Sequence, residues 1–289
     1  MRIVALLIFL SLSFLSFSQS FRLHVGGGLS NYIGDIQQKR LSFNQINAVY
    51  SFGAAYDIND QLAIRFDYSH GKVEGDDKKS GNTKISKRNL NFKSEIKEVA
   101  LIAEYSWANN YTAPFTPYFF TGIGVFKFNP STLDSAGRVV FLHDLSTEGQ
   151  GLKKYPDRKP YNLTQFNIPI GAGMKFNLTE NIFVAVEGGI RKLFTDYLDD
   201  VSTSYPDRDA LLAGKGQLAV DLSYRADELP PYNHTFPKGG SQRGNKDKDW
   251  YYFAQFRINF KLKWNNDFGG GGDYSRKGAL KRIGCPGRF

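Results

Sequence analysis

The sequence predicts an all-β fold, a single eight-stranded antiparallel β-barrel that spans a membrane, with short turns at one rim and long loops at the other. Three observations predict it. Segments of about ten residues alternate apolar with polar or small side chains, the period of two that puts the faces of a strand in different surroundings. Aromatic residues make up 15% of the 289 residues and glycines number 29, yet hydrophobic content is only 41% and mean hydropathy is -0.38. That mixture suits a barrel with a thin apolar belt outside and a polar interior. Finally, the spacers between segments run short, then long.

The clearest strand is Trp250 to Trp264, WYYFAQFRINFKLKW, where every second residue is apolar or aromatic and the other face ends in cations. A core strand in a soluble sandwich is about 5–6 residues long, whereas a tilted membrane strand needs about 9–11. Aromatic rings at both ends match headgroup depth. The other seven, in order, begin with Phe21–Ser30, which sets Phe21, Leu23, Val25 and Leu29 against Arg22, His24 and Ser30. Ala48–Tyr56 alternates Tyr50, Phe52, Ala54 and Tyr56 with small residues. In the third, Leu62, Ile64, Phe66 and Tyr68 oppose Arg65, Asp67 and Ser69, and in the fourth Val99, Leu101, Ala103, Tyr105 and Trp107 oppose Glu98 and Glu104. The fifth, Tyr118–Phe128, is apolar on both faces and has no evident orientation. The sixth sets Phe166, Ile168, Ile170, Ala172, Met174 and Phe176 against Asn167, Gly171, Gly173 and Lys175; in the seventh Ile182, Val184, Val186 and Ile190 oppose Glu187 and Arg191.

The connections DIND (57–60), NLTEN (177–181) and ANNYTAP (108–114) are short, while 33–45, 72–93, 129–161 and 195–249 are long and polar. That is the rim asymmetry of bacterial outer-membrane barrels, and an even strand count puts both chain ends at the short-turn, periplasmic rim. A sheet in hydrocarbon must close because its edge has no water to bond, and eight strands enclose a space that side chains fill. Arg22, Arg65, Asp67, Glu98, Glu104, Lys175, Glu187, Arg191, Arg257 and Lys261 then point inward. Both signs are present, so they can pair into a plug rather than line a selective pore.

Residues 1–18, a basic start followed by an apolar run and small residues, read as a signal peptide cut after Ser18 or as late as Ser20. The barrel is expected over 19–264 and a periplasmic tail over 265–289, with a hinge at Gly269–Gly272 and a basic stretch ending in Phe289. The net charge of +9 fits basic segments near acidic surface glycolipids or a partner; no nucleic-acid module occurs. Cys285 is the sole cysteine, which excludes an internal disulfide and leaves an intermolecular bridge or a free thiol.

Catalytic signatures are missing. His24, His70, His143 and His234 are scattered, with no metal spacing and no GxSxG elbow, and no cofactor is expected. A lipid-modifying enzyme would need a set such as Ser69, His70 and Glu74, yet adjacent strand residues face opposite ways. YPDR occurs twice, at Tyr155–Arg158 and Tyr205–Arg208, and reads as a turn former. Gln217–Tyr224 (QLAVDLSY) fits a further strand, one arm of a hairpin above the membrane, which leaves the count open by one pair.

At VGGGLSNYIGDI (Val25–Ile36), DVSTSYPD (Asp200–Asp207), LSYRADELP (Leu222–Pro230) and GCP (Gly284–Pro286) the chain resembles the PorG-type outer-membrane barrels of the type IX secretion system in Bacteroidota. The resemblance implies a non-catalytic subunit that ties the periplasmic ring of PorK and PorN to the outer membrane, in a system that exports proteins and supports gliding motility. It puts Cys285 on the side where a mixed disulfide with a ring subunit would form. A free-standing OmpA-like surface barrel that binds an external ligand is the other reading.

Overall fold

A computed structural model describes residues 20–37, 45–80, 82–108, 114–231 and 234–262. The expected signal peptide, Trp264, Cys285 and the tail lie outside them.

Eight long antiparallel strands close on themselves. They are β1 (Ser20–Ile33), β2 (Asn47–Asp57), β3 (Leu62–Asp76), β4 (Asn91–Ser106), β5 (Phe115–Lys127), β8 (Thr164–Asn177), β9 (Ile182–Leu193) and β10 (Trp250–Leu262). Two three-residue strands, β6 (Ser131–Leu133) and β7 (Val139–Phe141), form a hairpin joined to β4 at Lys93–Ser131. Around the wall the order is β1-β2-β3-β4-β5-β8-β9-β10, and β1 meets β10 from Phe21–Leu262 to Ile33–Trp250. Every wall strand has two neighbours, so no edge is left unpaired.

The alternation read from the sequence becomes an inside and an outside. On β4, Val99, Leu101, Ala103 and Tyr105 lie on the outer face, continued by exposed Trp107 just past its end, while Glu98, Ala100, Ile102 and Glu104 are buried. Nine residues from Val99 to Trp107, at a rise of ~3.4 Å and a tilt of ~40°, cover roughly 20–25 Å, close to a membrane belt. Exposed outer rings and aliphatics such as Phe66, Ile123, Phe166, Val186 and Phe256 continue it around the barrel. The fifth strand now has an orientation: Tyr118 and Phe120 point in, and Phe119, Ile123 and Val125 point out. Tyr118 lies over Gly173, where an added Cβ would sit 2.6 Å from its ring, and Phe120 lies over Gly171 and Gly189, where a Cβ would collide with its ring in the same way. These glycines make room for two large inward rings.

The short turns are tied by their own backbone and side chains. Ile58 N–H bonds Leu62 O at 2.9 Å with Asn59 Oδ1 accepting from Leu62 N at 2.8 Å, and Leu178 N–H bonds Ile182 O at 3.0 Å. Two of the long loops differ from expectation. The stretch 72–93 is strand at both ends, because β3 runs on to Asp76 and β4 starts at Asn91. Its alternation persists, but charges take the outer face (Lys72, Glu74, Lys93, Glu95) over buried Val73, Phe92 and Ile96. Above the belt that outer face meets water, so the same period looks like a polar loop. Gln217–Tyr224 is not a strand: Gln217–Ser223 is a helix with Ala219, Val220, Leu222 and Ser223 buried. The spacing 219/220/222/223 makes one helical face, which packs with Leu211 of the preceding helix Arg208–Lys215.

Candidate functional site

Inside the half of the barrel next to the short turns, charges pair across the lumen. Arg22 Nη2 lies 2.7 Å from Asp57 and 3.2 Å from Glu104, and Lys175 Nζ lies 2.6 Å from Glu104. Arg65 bridges Asp67 at 3.0 Å, Glu104 at 3.1 Å and Glu187 at 3.0 Å. Arg257 reaches Asp67 at 2.9 Å and Glu187 at 2.8 Å. Four cations thus face four carboxylates, all buried. One step toward the loops, Arg191 pairs with Glu98 at 3.4 Å, and Glu98 also accepts from Asn167 Nδ2 at 2.7 Å and from the Tyr251 hydroxyl.

The structure therefore brings together Arg22, Arg65, Asp67, Glu104, Lys175, Glu187 and Arg257 in one network and Glu98 with Arg191 in a second. Lys261 sits at the rim as the register partner of Arg22, half-buried, with its ammonium 5.4 Å from the Phe183 ring centroid. Sequence reasoning missed Asp57, which sits in the last position of β2 and looks like a turn residue. It also missed Tyr118, whose hydroxyl donates to Glu187 at 2.7 Å. Its strand is apolar on both faces, and no pattern marked which tyrosine carried a buried partner.

Toward the loops the lumen becomes apolar. Tyr32, Val49, Val73, Phe92, Ile96, Phe126, Leu193, Tyr251 and Phe253 form one cluster that continues into the loops through Leu142, Leu198, Val201 and Leu222. The loops close over it. Glu148 accepts from Ser202 N (2.9 Å), Thr203 N (3.0 Å) and Thr203 Oγ1 (2.8 Å) and pairs with Arg243 at 3.2 Å. Arg225 joins Glu228 at 2.7 Å and donates to Thr132 Oγ1 at 2.9 Å. Asp35 accepts from Asn245 N at 2.9 Å, and the Tyr32 hydroxyl donates to Asp199. The two YPDR copies touch, since Asp207 N–H donates to the Tyr155 hydroxyl at 2.7 Å and Lys154 lies 3.4 Å from Asp207.

This cap buries carboxylates. Burial, with the charge of Asp199 behind it, lifts Asp35 to about 8, and burial lifts Asp196 and Asp199 to about 7 and Asp200 to about 6. Asp249 is held well above the usual carboxylate range by burial and by Asp199 and Asp196. Among the described residues no group of three or more His, Cys, Asp and Glu side chains could hold a metal ion. Ser69 is buried and His70 stands on the opposite, outer face beside Tyr50, with ring centroids 5.5 Å apart. The two do not form a catalytic pair.

A family model described as Domain of unknown function (DUF6089) matches residues 1–217. No curated protein matches the chain. Among solved structures it is similar to Neisserial surface protein A at 9% identity, covering 85% of this chain and 99% of that one, with a TM-score of 0.42. It is also similar to Ail, the attachment invasion locus protein of Yersinia pestis (10%, 84% and 99%, TM-score 0.41). A third is a major outer membrane protein from Thermus thermophilus (12%, 85% and 100%, TM-score 0.41). No helix among the described residues is long and apolar enough to cross a membrane; the strands do so.

Proposed function

We propose a scaffold role for this chain, which belongs to the family described as a domain of unknown function (DUF6089). It is an outer-membrane barrel whose long loops face outward and whose two ends face the periplasm. There it ties a ring of PorK- and PorN-like proteins of a type IX secretion system to the membrane. Protein export and gliding motility are the processes it serves.

The observation that carries this reading is the filled interior. The paired charges from Arg22 to Glu187 cross the lumen, and the apolar cluster from Tyr32 to Leu222 sits above them. A barrel filled along its length acts through its rims, its outer face or its ends. The three described stretches that carry the resemblance lie in the cap, with Tyr32 and Asp35 from the first, Ser202 and Thr203 from the second and Arg225 and Glu228 from the third, and Arg243 donates both to Asp200 O in the second and to Ser223 O in the third. They maintain one loop structure, which supports a common architecture with the type IX barrels. The ring contact is assigned to the periplasmic tail, with Cys285 as the candidate for a mixed disulfide.

Mild detergent extraction followed by affinity capture tests this reading. Co-elution of periplasmic ring proteins is expected; a barrel that elutes alone favours the free-standing surface barrel. Non-reducing electrophoresis of native membranes should show a heavier band that Cys285→Ser removes, and a monomer in both removes the disulfide.

A further inference from the structure

The outer face of the barrel is not symmetric between its rims. At the short-turn rim the belt ends in Tyr56, Tyr105, Trp107, Phe115 and Leu262, and no described outward strand position there is a lysine or arginine. At the loop rim it ends in cations. Val99 is followed outward by Lys97 on β4, and Val125 by Lys127 on β5; both lysines are exposed. Lys97 and Lys127 are direct cross-strand partners, and His70 lies on the other side of Lys97. Like charges directly opposite in a sheet repel. One row higher Lys72 has Glu95 at 3.7 Å, and two rows higher Lys93 has Glu74 at 3.6 Å, whereas Lys97 and Lys127 make no ion pair among the described residues.

Beside this pair lies a cleft of about 620 Å³ between the β3–β4 ribbon and the β6–β7 hairpin. Its lining joins the pairs Lys72–Glu95 and Lys93–Glu74, with Lys97 and Lys127, to the apolar side chains Val139 and Phe141, which are 64% and 47% exposed. Two cations without protein counter-ions, an apolar wall beside them and hydrocarbon directly below describe a ligand with three parts. Lysine is a point-charge binder of phosphate, and the flat apolar face of a phenylalanine ring, electronegative over its centre, suits the C–H face of a sugar ring.

We propose that Lys97 and Lys127 hold a phosphate of an outer-leaflet glycolipid. Its sugar lies in the cleft against Phe141, and its acyl chains descend along Val99 and Val125. The site rests on the reading above only in that the loop rim faces outward.

The test titrates the processed full chain, folded in detergent micelles, with bisphosphorylated lipid A, with the same lipid after dephosphorylation and with inorganic phosphate, read by native mass spectrometry. The pair variant is Lys97→Gln with Lys127→Gln; the charge-matched control is Lys153→Gln with Lys159→Gln, both exposed in a loop. Removing two phosphate-binding charges should weaken lipid A binding about tenfold or more, with heat-modifiable mobility unchanged. The control should bind like the parent chain, and dephosphorylated lipid should bind parent and pair variant alike. Equal lipid A binding by parent and pair variant overturns the site. So does an equal loss in the control, which would make the effect one of net charge. Inorganic phosphate that competes at lipid A concentrations replaces the glycolipid with a free anion and overturns the lipid assignment. Labelling of Lys153→Cys on intact cells by a membrane-impermeant maleimide reads orientation separately: labelling only after the envelope is permeabilised overturns the outward rim and the outer-leaflet source, whatever the micelle titration gives.

Discussion

The two halves of the barrel interior are filled by opposite chemistry. Near the short turns, Arg22, Arg65, Lys175 and Arg257 neutralise Asp57, Asp67, Glu104 and Glu187. Near the loops, Tyr32, Phe92, Ile96, Phe126 and Phe253 pack as a core that merges with the cap. An ionic filling is specific but brittle. Each charge is desolvated and depends on named partners, so loss of one leaves the rest costly. An apolar filling is graded, since a removed methylene costs its own burial and a cavity. The difference also separates two functions of the interior. The first half holds the wall in register across the lumen, and the second anchors loops that would otherwise have nothing to fold upon.

Breaking the ionic half should have the largest effect. Arg65→Leu removes the cation that Asp67, Glu104 and Glu187 share, leaves four buried carboxylates to three cations, and is expected to cost about 3–5 kcal/mol, read as a fall in the urea midpoint of the micelle-folded barrel. Removing Arg191 and Glu98 together, as Arg191→Met with Glu98→Gln, should cost less than Arg191→Met alone. A double-variant cost equal to the sum of the two single variants would mean that the pair is not coupled. In the apolar half, Leu222→Ala should cost about 2–4 kcal/mol, but locally: the loops become protease-sensitive while heat-modifiable mobility persists. Loss of both together would join cap and wall into one unit.

A smaller effect is set by pH. Asp35, Asp196, Asp199 and Asp200, raised to about 8, 7, 7 and 6, keep protons that an opened cap releases once pH exceeds the ordinary carboxyl value of about 4. Cap stability is therefore highest at the acid end and declines as pH rises from about 4 through 8, with no further change below about 4. Arg88, Arg243 and Lys248 oppose the shifts and limit the slope. Hydrogen exchange of loop amides, corrected for intrinsic rates, should show severalfold more opening at pH 8.5 than at 5.5; a flat profile would return these carboxyls to ordinary values. The smallest change is Asp207→Ala. It removes the cap on helix Arg208–Lys215, where Asp207 Oδ1 accepts from Ala210 N at 3.1 Å, for about 1 kcal/mol. Exchange should quicken in that helix alone.

Period-two alternation carried the wall, and from it came nine of the ten inward charges found buried. That pattern reports which face is in lipid. It does not report what lies on the other side of the lumen, so the pairing of Arg65 with Glu187, 122 residues away, was not legible. Polarity misled above the membrane, where Lys72 and Glu74 on a strand resemble a loop because the outer solvent has changed. It misled again at Gln217–Ser223, where a short apolar run fits either period and only packing against Leu211 decides. The lysines at positions 97 and 127 needed the register, since 30 residues of sequence separate two side chains that stand directly opposite.

The seam between the first and last strands has a consequence for biogenesis. Thirteen partners run from Phe21–Leu262 to Ile33–Trp250, so β1 keeps an open margin until β10 has been delivered. Closure over so long a separation is slow because chain entropy must be lost before the pairing rewards it. Until then the N–H and C=O groups of β1 on that side have no partner in the wall, and hydrocarbon offers none. The wall is complete only when β10 has zipped home along β1.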